Sequence, residues 1–280
     1  MSLTTKIVID MMRKLLLSLM LLSPFSFAGW ADVITLKKQY LGNEEIISEF
    51  TEGYELAQSG DMGAQNNLGV ILEAGVVVNR DIPQAIKWYV LAAKQGAAKA
   101  QSKLGHIYAT GKGVPVDYSE AFKWFSLSAN QDDIYGIYNL GAMYVDGHGV
   151  SQNINKGFQM MLDAAGQGMS LAQLNVAYMY FNGNFIKKDY TQSAYWYQLA
   201  ALQKDSEAQS ALGVHYWNGY GVDQNDSLAY VWFRLAEIQG NKEASANLDV
   251  VTPFLTEAMI LKAEQDATKC HESNYKDCDL

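Results

Sequence analysis

Residues 205–240 read DSEAQSALGVHYWNGYGVDQNDSLAYVWFRLAEIQG, and residues 97–132 read AAKAQSKLGHIYATGKGVPVDYSEAFKWFSLSANQD. The two stretches share an alanine, a leucine–glycine pair, two further glycines and an aromatic pair at equivalent positions, and the pattern recurs every 36 residues without insertion. Because a repeated unit buries its apolar face only against its neighbours, this pattern predicts a solenoid. Five copies begin at Asp61, Ala97, Asp133, Met169 and Asp205.

The first half of each copy has the spacing of an α-helix, here called helix A. A small residue such as Ala208 is followed four residues later by a large aliphatic one such as Leu212, so both lie on one helix face. A glycine then follows in four copies. Since glycine weakens a helix by about 1 kcal/mol relative to alanine, we expect another helix backbone to pass close to it. Helix A is predicted to end at Gly75, Gly111, Gly147, Gly183 and Gly219.

The second half of each copy predicts a second helix, helix B. An Asp or Asn precedes it and is a suitable N-cap, since its side chain can accept an unpaired backbone N–H. Four of the six tryptophans share one position in helix B, which favours core packing over a cofactor site. The third copy has Met160 and Met161 in place of the aromatic pair. The predicted caps are Asp81, Asp117, Asn153, Asp189 and Asn225.

The pattern A-x-x-x-L-G-x-x-Y-x-x-G-x-G, followed by the cap and A-x-x-W-Y/F, resembles the Sel1-like repeat, a longer relative of the tetratricopeptide repeat. The resemblance implies an all-α fold, an α/α superhelical solenoid of antiparallel helix pairs. It also implies an adaptor for protein complexes in signalling, secretion, host contact or envelope assembly. A cysteine-rich branch of the family is linked to binding or slow hydrolysis of penicillin-like compounds, but these five repeats contain no cysteine.

Residues 1–28 have the layout of a bacterial Sec signal peptide. Two basic residues precede an apolar run over residues 15–22, and Ser26 and Ala28 lie at positions −3 and −1 of a candidate cleavage site. The apolar run is shorter than an ordinary membrane-spanning helix. We therefore expect a periplasmic or secreted protein with no membrane span after cleavage; an uncleaved anchor is the alternative. Candidate translation starts are Met1, Met11 and Met12.

The charge of the chain opposes binding to nucleic acid. The net charge is −9, and removal of residues 1–28 takes away three basic residues and one acidic residue, which leaves −11. An acidic chain is repelled by polyanions and anionic lipid surfaces, so basic or neutral partners are favoured.

Cys270 and Cys278 are the only cysteines in the sequence. In an oxidising compartment we expect them to form a disulfide. The alternatives are two free thiols, or a weak metal site with His271 that would need more ligands than the sequence offers.

The sequence carries no recognisable catalytic motif. It contains no H-E-x-x-H, G-x-S-x-G, P-loop or C-x-x-C, and its four histidines lie at different positions. The S-x-x-K match over residues 273–276 lies in a polar tail without its partner motifs. We therefore predict no enzyme, no catalytic residue, no cofactor and no metal.

Helix A also carries the predicted partner-binding residues, at positions off the core face. Their apolar and aromatic character increases toward the later copies, and exposed aromatic patches often mark partner sites. The alternative is that these side chains pack against the adjacent repeat or loop. The candidates are His106, Tyr138, Leu174, Tyr178, Phe181 and Trp217.

These observations predict an exported, non-enzymatic scaffold that binds a protein or peptide in a concave groove. Two alternatives stay open: a protein that binds or weakly hydrolyses β-lactam or cell-wall ligands, and a module that binds peptidoglycan or another glycan. The expected organisation is a signal peptide over 1–28, an N-terminal capping segment over 29–60, five repeats over 61–240, and a C-terminal cap with a cysteine-containing tail over 241–280.

Overall fold

The computed structural model describes residues 44–183, 186–276 and 278. The predicted signal peptide and the first part of the predicted capping segment lie outside these residues. The contacts divide the chain into two compact units, Met1–Ala97 and Ala98–Leu280. The described residues contain thirteen α-helices, one short 3₁₀-helix and no strand. None of these helices is both long enough and apolar enough to cross a membrane.

The first unit contains three described helices. Helix α1 packs on α2, and α2 forms an antiparallel pair with α3 as helix A and helix B of the first copy. The helices are α1 Glu44–Gln58, α2 Met62–Ala74 and α3 Ile82–Lys94.

The second unit contains four further helix pairs and two closing helices, and each pair packs on the next along the chain. The predicted all-α class, built from antiparallel helix pairs, is confirmed. The helices are α4 Ala98–Thr110, α5 Tyr118–Ala129, α6 Ile134–Asp146, α7 Ile154–Gly166, α8 Ser170–Asn182, α9 Tyr190–Leu202, α10 Ser206–Asn218, α11 Asp226–Ile238, α12 Lys242–Val251, the 3₁₀-helix Thr252–Phe254 and α13 Glu257–Glu272.

Each helix B begins at its predicted N-cap. The Asp189 side chain accepts a hydrogen bond from the backbone N–H of Gln192 at 3.0 Å, and the other four caps do the same in their copies. The backbone N–H of Asp189 also donates to the carbonyl oxygen of Tyr180 in helix A at 3.0 Å. The cap therefore starts helix B and joins it to helix A.

Within each pair, a helix B side chain lies against the recurring glycine of helix A. A Cβ atom added to Gly105 would lie 2.6 Å from a ring carbon of Phe125, and one added to Gly213 would lie 2.6 Å from Phe233. Gly69 meets a tyrosine ring in the same way. At these three positions the nearest neighbour of the glycine is a helix B ring, and the predicted approach of a helix backbone stays a prediction there.

The third copy has Met161 in place of the ring, and its two helices approach through their backbones. A Cβ atom added to Gly157 in α7 would lie 2.5 Å from the carbonyl oxygen of Gly141 in α6. Here the helix backbone does pass close to the glycine, as the sequence predicts. A glycine on each helix thus replaces the contact between ring and glycine.

We predict that Gly213→Ala lowers the free energy of unfolding by about 1–3 kcal/mol, since the added methyl group overpacks against Phe233. Gly166→Ala, in the last turn of α7, is the matched control because no heavy atom lies within 4 Å of its added Cβ. Urea unfolding monitored by circular dichroism measures both variants. Equal stability of the two would contradict the ring-to-glycine contact as a packing constraint.

A pair of glutamines joins the end of helix B to the start of helix A in four copies. Gln203 donates its side-chain N–H to the Gln173 side-chain oxygen at 2.8 Å, and Gln173 donates to the carbonyl oxygen of Ala165 at 3.0 Å. This carbonyl belongs to the last turn of the preceding helix B, where backbone carbonyl groups have no N–H partner within the helix. This role of the glutamines was not predicted from the sequence. The other pairs are Gln95–Gln65, Gln131–Gln101 and Gln239–Gln209.

Polar contacts hold the last helix, α13, against the repeats, and a disulfide ties the tail to this helix. Tyr230 and Arg234 of α11 donate to the Glu264 carboxylate at 2.7 and 3.1 Å. Buried Cys270 is bonded to Cys278, as the sequence predicts. This packing covers the end of the last complete repeat, as a solenoid requires.

Replacing Cys270 by Ala and Cys278 by Ser should lower the free energy of unfolding by about 2–3 kcal/mol, because the disulfide closes a short loop and restricts the unfolded chain. Denaturant unfolding with and without dithiothreitol measures the effect. Reduction should destabilise the natural sequence by a similar amount and leave the double variant unchanged. Identical unfolding curves for the natural sequence and the double variant, each with and without dithiothreitol, would show that the disulfide does not stabilise the fold.

Candidate functional site

The helix A elements of the second unit line two adjoining hollows. One, of about 280 Å³, is bounded by Tyr138 in α6 and Met179 in α8. The other, of about 770 Å³, extends from Leu174 in α8 to α10 and α12. Asn175 and Tyr178 line both hollows, so the two are continuous. We call the residues that line the two hollows the trough.

Three of the six predicted partner-binding residues lie in the trough. Tyr138 is half-buried, and its hydroxyl oxygen accepts a hydrogen bond from the Asn175 side chain at 2.6 Å. Burial raises the pKa of Tyr138, and the hydrogen bond from Asn175 partly offsets this. Leu174 is half-buried, whereas 58% of Tyr178 is exposed. These residues offer apolar surface and phenolic hydroxyls in one place.

The other three predicted residues lie elsewhere. The Phe181 ring is 5.8 Å from the ring of Tyr220, which belongs to the loop of the next copy, so its contacts match the alternative of packing against an adjacent loop. The Trp217 ring is 5.0 Å from the ring of Phe254. His106 is exposed on α4. None of the three lines the two hollows, and their role in partner binding stays a prediction.

Tyr197 lines the larger hollow, and it is the second residue of the aromatic pair in helix B of the fourth copy. The side chain is 4% exposed, and its hydroxyl has no hydrogen-bond partner among the described residues. Its equivalent in the first copy, Tyr89, donates to the Glu73 carboxylate at 2.7 Å. The fourth copy has Phe181 at the position of Glu73. This replacement of a carboxylate by a ring is the feature of the sequence that distinguishes Tyr197 from Tyr89.

His215 is a buried titratable group beside the trough. Its Nδ1–H donates to the carbonyl oxygen of Tyr220 at 2.6 Å, so the neutral ring presents Nε2 as an acceptor, 3.2 Å from the Ser193 hydroxyl. The rings of Phe181 and Tyr197 lie around it, each with its centroid 5.4 Å away. Burial lowers the pKa of His215, and the bond to Tyr220 partly offsets this.

We predict that His215 makes the second unit less stable in acid. The unfolded chain takes up a proton near pH 6.5, whereas the folded state holds the neutral ring, so stability is full above that pH and falls below it. His215→Met introduces the residue found at the equivalent Met143 and Met179, and it should remove this part of the acid dependence. Thermal unfolding between pH 8 and 5 measures it.

Exposed His148 provides the control for this prediction, since His148→Gln replaces a histidine on the surface and leaves the buried His215 in place. Parallel pH profiles for the natural sequence and His215→Met would contradict the prediction.

Comparison with known proteins identifies the repeat. The Sel1 repeat model matches five consecutive segments, 63–96, 98–133, 134–169, 170–205 and 206–241, which cover more than half of the chain. The chain belongs to the Sel1 repeat family. Sel1 repeats generally form non-catalytic scaffolds for protein interaction. A comparison with curated proteins gives no significant match.

Three solved structures share this fold. A protective antigen of uropathogenic Escherichia coli with an SLR fold matches with a TM-score of 0.68 and 32% identity, over 79% of this chain and 48% of the antigen. The chain therefore matches about half the length of that relative. A Sel1 repeat protein from Oxalobacter formigenes matches with a TM-score of 0.65 and 27% identity, over 79% of this chain and 99% of the other.

The third structure supports the fold alone. It is a protein from Klebsiella pneumoniae subsp. pneumoniae described as a sel1 repeat protein, with a TM-score of 0.51 and 18% identity, over 72% of this chain and 99% of the other. The Sel1 solenoid therefore accounts for the helices observed here.

Among the described residues, no group of three or more His, Cys, Asp or Glu side chains is placed to hold a metal ion.

Proposed function

We propose that this Sel1 repeat protein is an exported, non-enzymatic scaffold that binds a protein or peptide partner in the trough. The observation that carries the proposal is the continuity of the two hollows at Asn175 and Tyr178, which gives one binding surface across several repeats. Aromatic side chains with large exposed area are frequent energetic centres of protein interfaces. Tyr178 is such a side chain.

Export is supported by two features of the chain. The Cys270–Cys278 disulfide suits an oxidising compartment such as the periplasm. Residues 1–28 have the order of basic, apolar and small residues found in a bacterial signal peptide. Together these features favour a partner outside the cytoplasm.

The chemistry of the trough supports binding rather than catalysis. Tyr138, Tyr178 and Tyr197 supply phenolic hydroxyls, and burial raises the pKa of Tyr138 and Tyr197, which keeps these two protonated. The nearby imidazole of His215 is buried, and its Nδ1–H is bonded to a backbone carbonyl. Protonated phenols hold a ligand by hydrogen bonds and apolar contact.

Site-specific photocrosslinking in intact cells tests this function. We predict that a photoreactive side chain at position 178 gives one dominant protein adduct, because this residue contacts the partner. Position 195 is the matched control, since Tyr195 is 51% exposed on α9 and does not line the trough. Val214→Asp, which places a charge in the trough, should remove the adduct at 178 while the protein stays folded.

The outcome that contradicts the proposal is the same adduct from positions 178 and 195, or no protein adduct from folded, exported protein. In the second case, retention on purified peptidoglycan would assign the surface to glycan binding instead.

A further inference from the structure

Tyr197 lies in the wall of the larger hollow. The residue is 4% exposed, and no described residue accepts or donates a hydrogen bond to its hydroxyl. The hydroxyl is not among the fully buried unpaired polar atoms, so the accessible part of the side chain includes it. In the first copy the equivalent hydroxyl, that of Tyr89, donates a hydrogen bond to Glu73. The repeat can therefore supply a partner for a hydroxyl at this position. In the fourth copy the hydroxyl instead faces the space where a ligand would lie.

Neighbouring side chains add further donors and acceptors to the same space. The amide N–H of Asn175 is bonded to Tyr138, which leaves its side-chain oxygen as an acceptor. Asn247 in α12 lines the larger hollow, and its amide has no hydrogen bond to a described residue. An amide paired with a phenol presents both donors and acceptors, as the backbone of a polypeptide requires.

Apolar side chains lie between these polar groups. Leu174, Ala211 and Val214 line the larger hollow beside Tyr178. This arrangement suits an extended segment, because alternate side chains of an extended chain point in opposite directions while its backbone groups stay available for bonding.

The charges of the trough favour one class of segment. Its lining holds three carboxylates, Asp146, Glu207 and Glu243, and one ammonium group, Lys242. Helices α6, α8 and α10 contain no lysine or arginine. An acidic side chain of a ligand would therefore meet repulsion, whereas neutral and basic side chains would not.

We propose that the trough binds an extended polypeptide segment without acidic side chains, whose backbone bonds to Tyr197, Asn175 and Asn247 while its apolar side chains contact Leu174 and Val214. This inference rests on the proposed function and specifies the partner of that site. Tyr197 acts as the donor to a backbone carbonyl of the segment. Tyr178 covers the segment from the exposed side.

A random dodecapeptide library displayed on phage, selected on the full chain, tests the inference. Enriched peptides should be depleted of Asp and Glu relative to the starting library. For a synthetic enriched peptide, Tyr197→Phe should raise Kd by about fivefold, the loss of one hydrogen bond. Tyr178→Ala should raise it more than tenfold. The controls Tyr89→Phe and Tyr195→Ala, outside the trough, should leave Kd unchanged.

Two results would overturn the inference, and they differ in what they say about the proposed function. Enriched peptides that are rich in Asp or Glu, or that bind Tyr197→Phe and Tyr178→Ala as tightly as the natural sequence, leave peptide binding intact but place it elsewhere or assign it another chemistry. No enrichment on folded protein overturns the inference, whereas the proposed function fails only if position 178 also gives no protein adduct in cells. Thermal unfolding of Tyr197→Phe checks that the variant stays folded, because loss of a hydroxyl that has no partner in the free protein should not lower the melting temperature.

Discussion

Close contact between helix A and helix B of one repeat is the constraint on which the structure depends. A ring carbon of Phe125 or Phe233 lies 2.6 Å from the place that a Cβ atom on Gly105 or Gly213 would take, so a larger residue would push the two helices apart. In the third copy two glycines, Gly141 and Gly157, face each other instead. Because the unit recurs, any change in this distance would shift the neighbouring repeats as well.

Much of the fold follows from local signals that the sequence displays. The N-caps of helix B, such as Asp189 and Asn225, and the glycines that end helix A are decided by a few neighbouring atoms, so their positions are predictable from residue type and spacing. The disulfide of Cys270 is predictable for the same reason, since one other cysteine is available. The glutamine pairs recur in four of the five copies, but Gln173 also bonds to the carbonyl oxygen of Ala165, and a backbone partner of this kind cannot be predicted from residue type and spacing.

The candidate site was less predictable because it depends on contacts between repeats. Tyr178 was identified from its place on helix A, whereas Phe181 on the same helix packs near Tyr220 of the next loop. Helical spacing cannot show where that loop returns. Tyr197 looked like a core residue because it occupies the position of a core ring, and only the loss of the carboxylate partner held by Tyr89 distinguishes it.

The trough and the core share a residue. Tyr197 occupies the ring position of helix B in the fourth copy, where Ala177 replaces the glycine, and it lines the larger hollow with Asn175 and Tyr178, so the scaffold and the site use the same residue. Tyrosine-ring NMR of the full chain, recorded during titration with a peptide selected for binding, tests this most directly. If the peptide occupies the trough, the signals of Tyr138, Tyr178 and Tyr197 move together while the signal of Tyr195 stays fixed. Movement of Tyr195 with a fixed Tyr197 would contradict it.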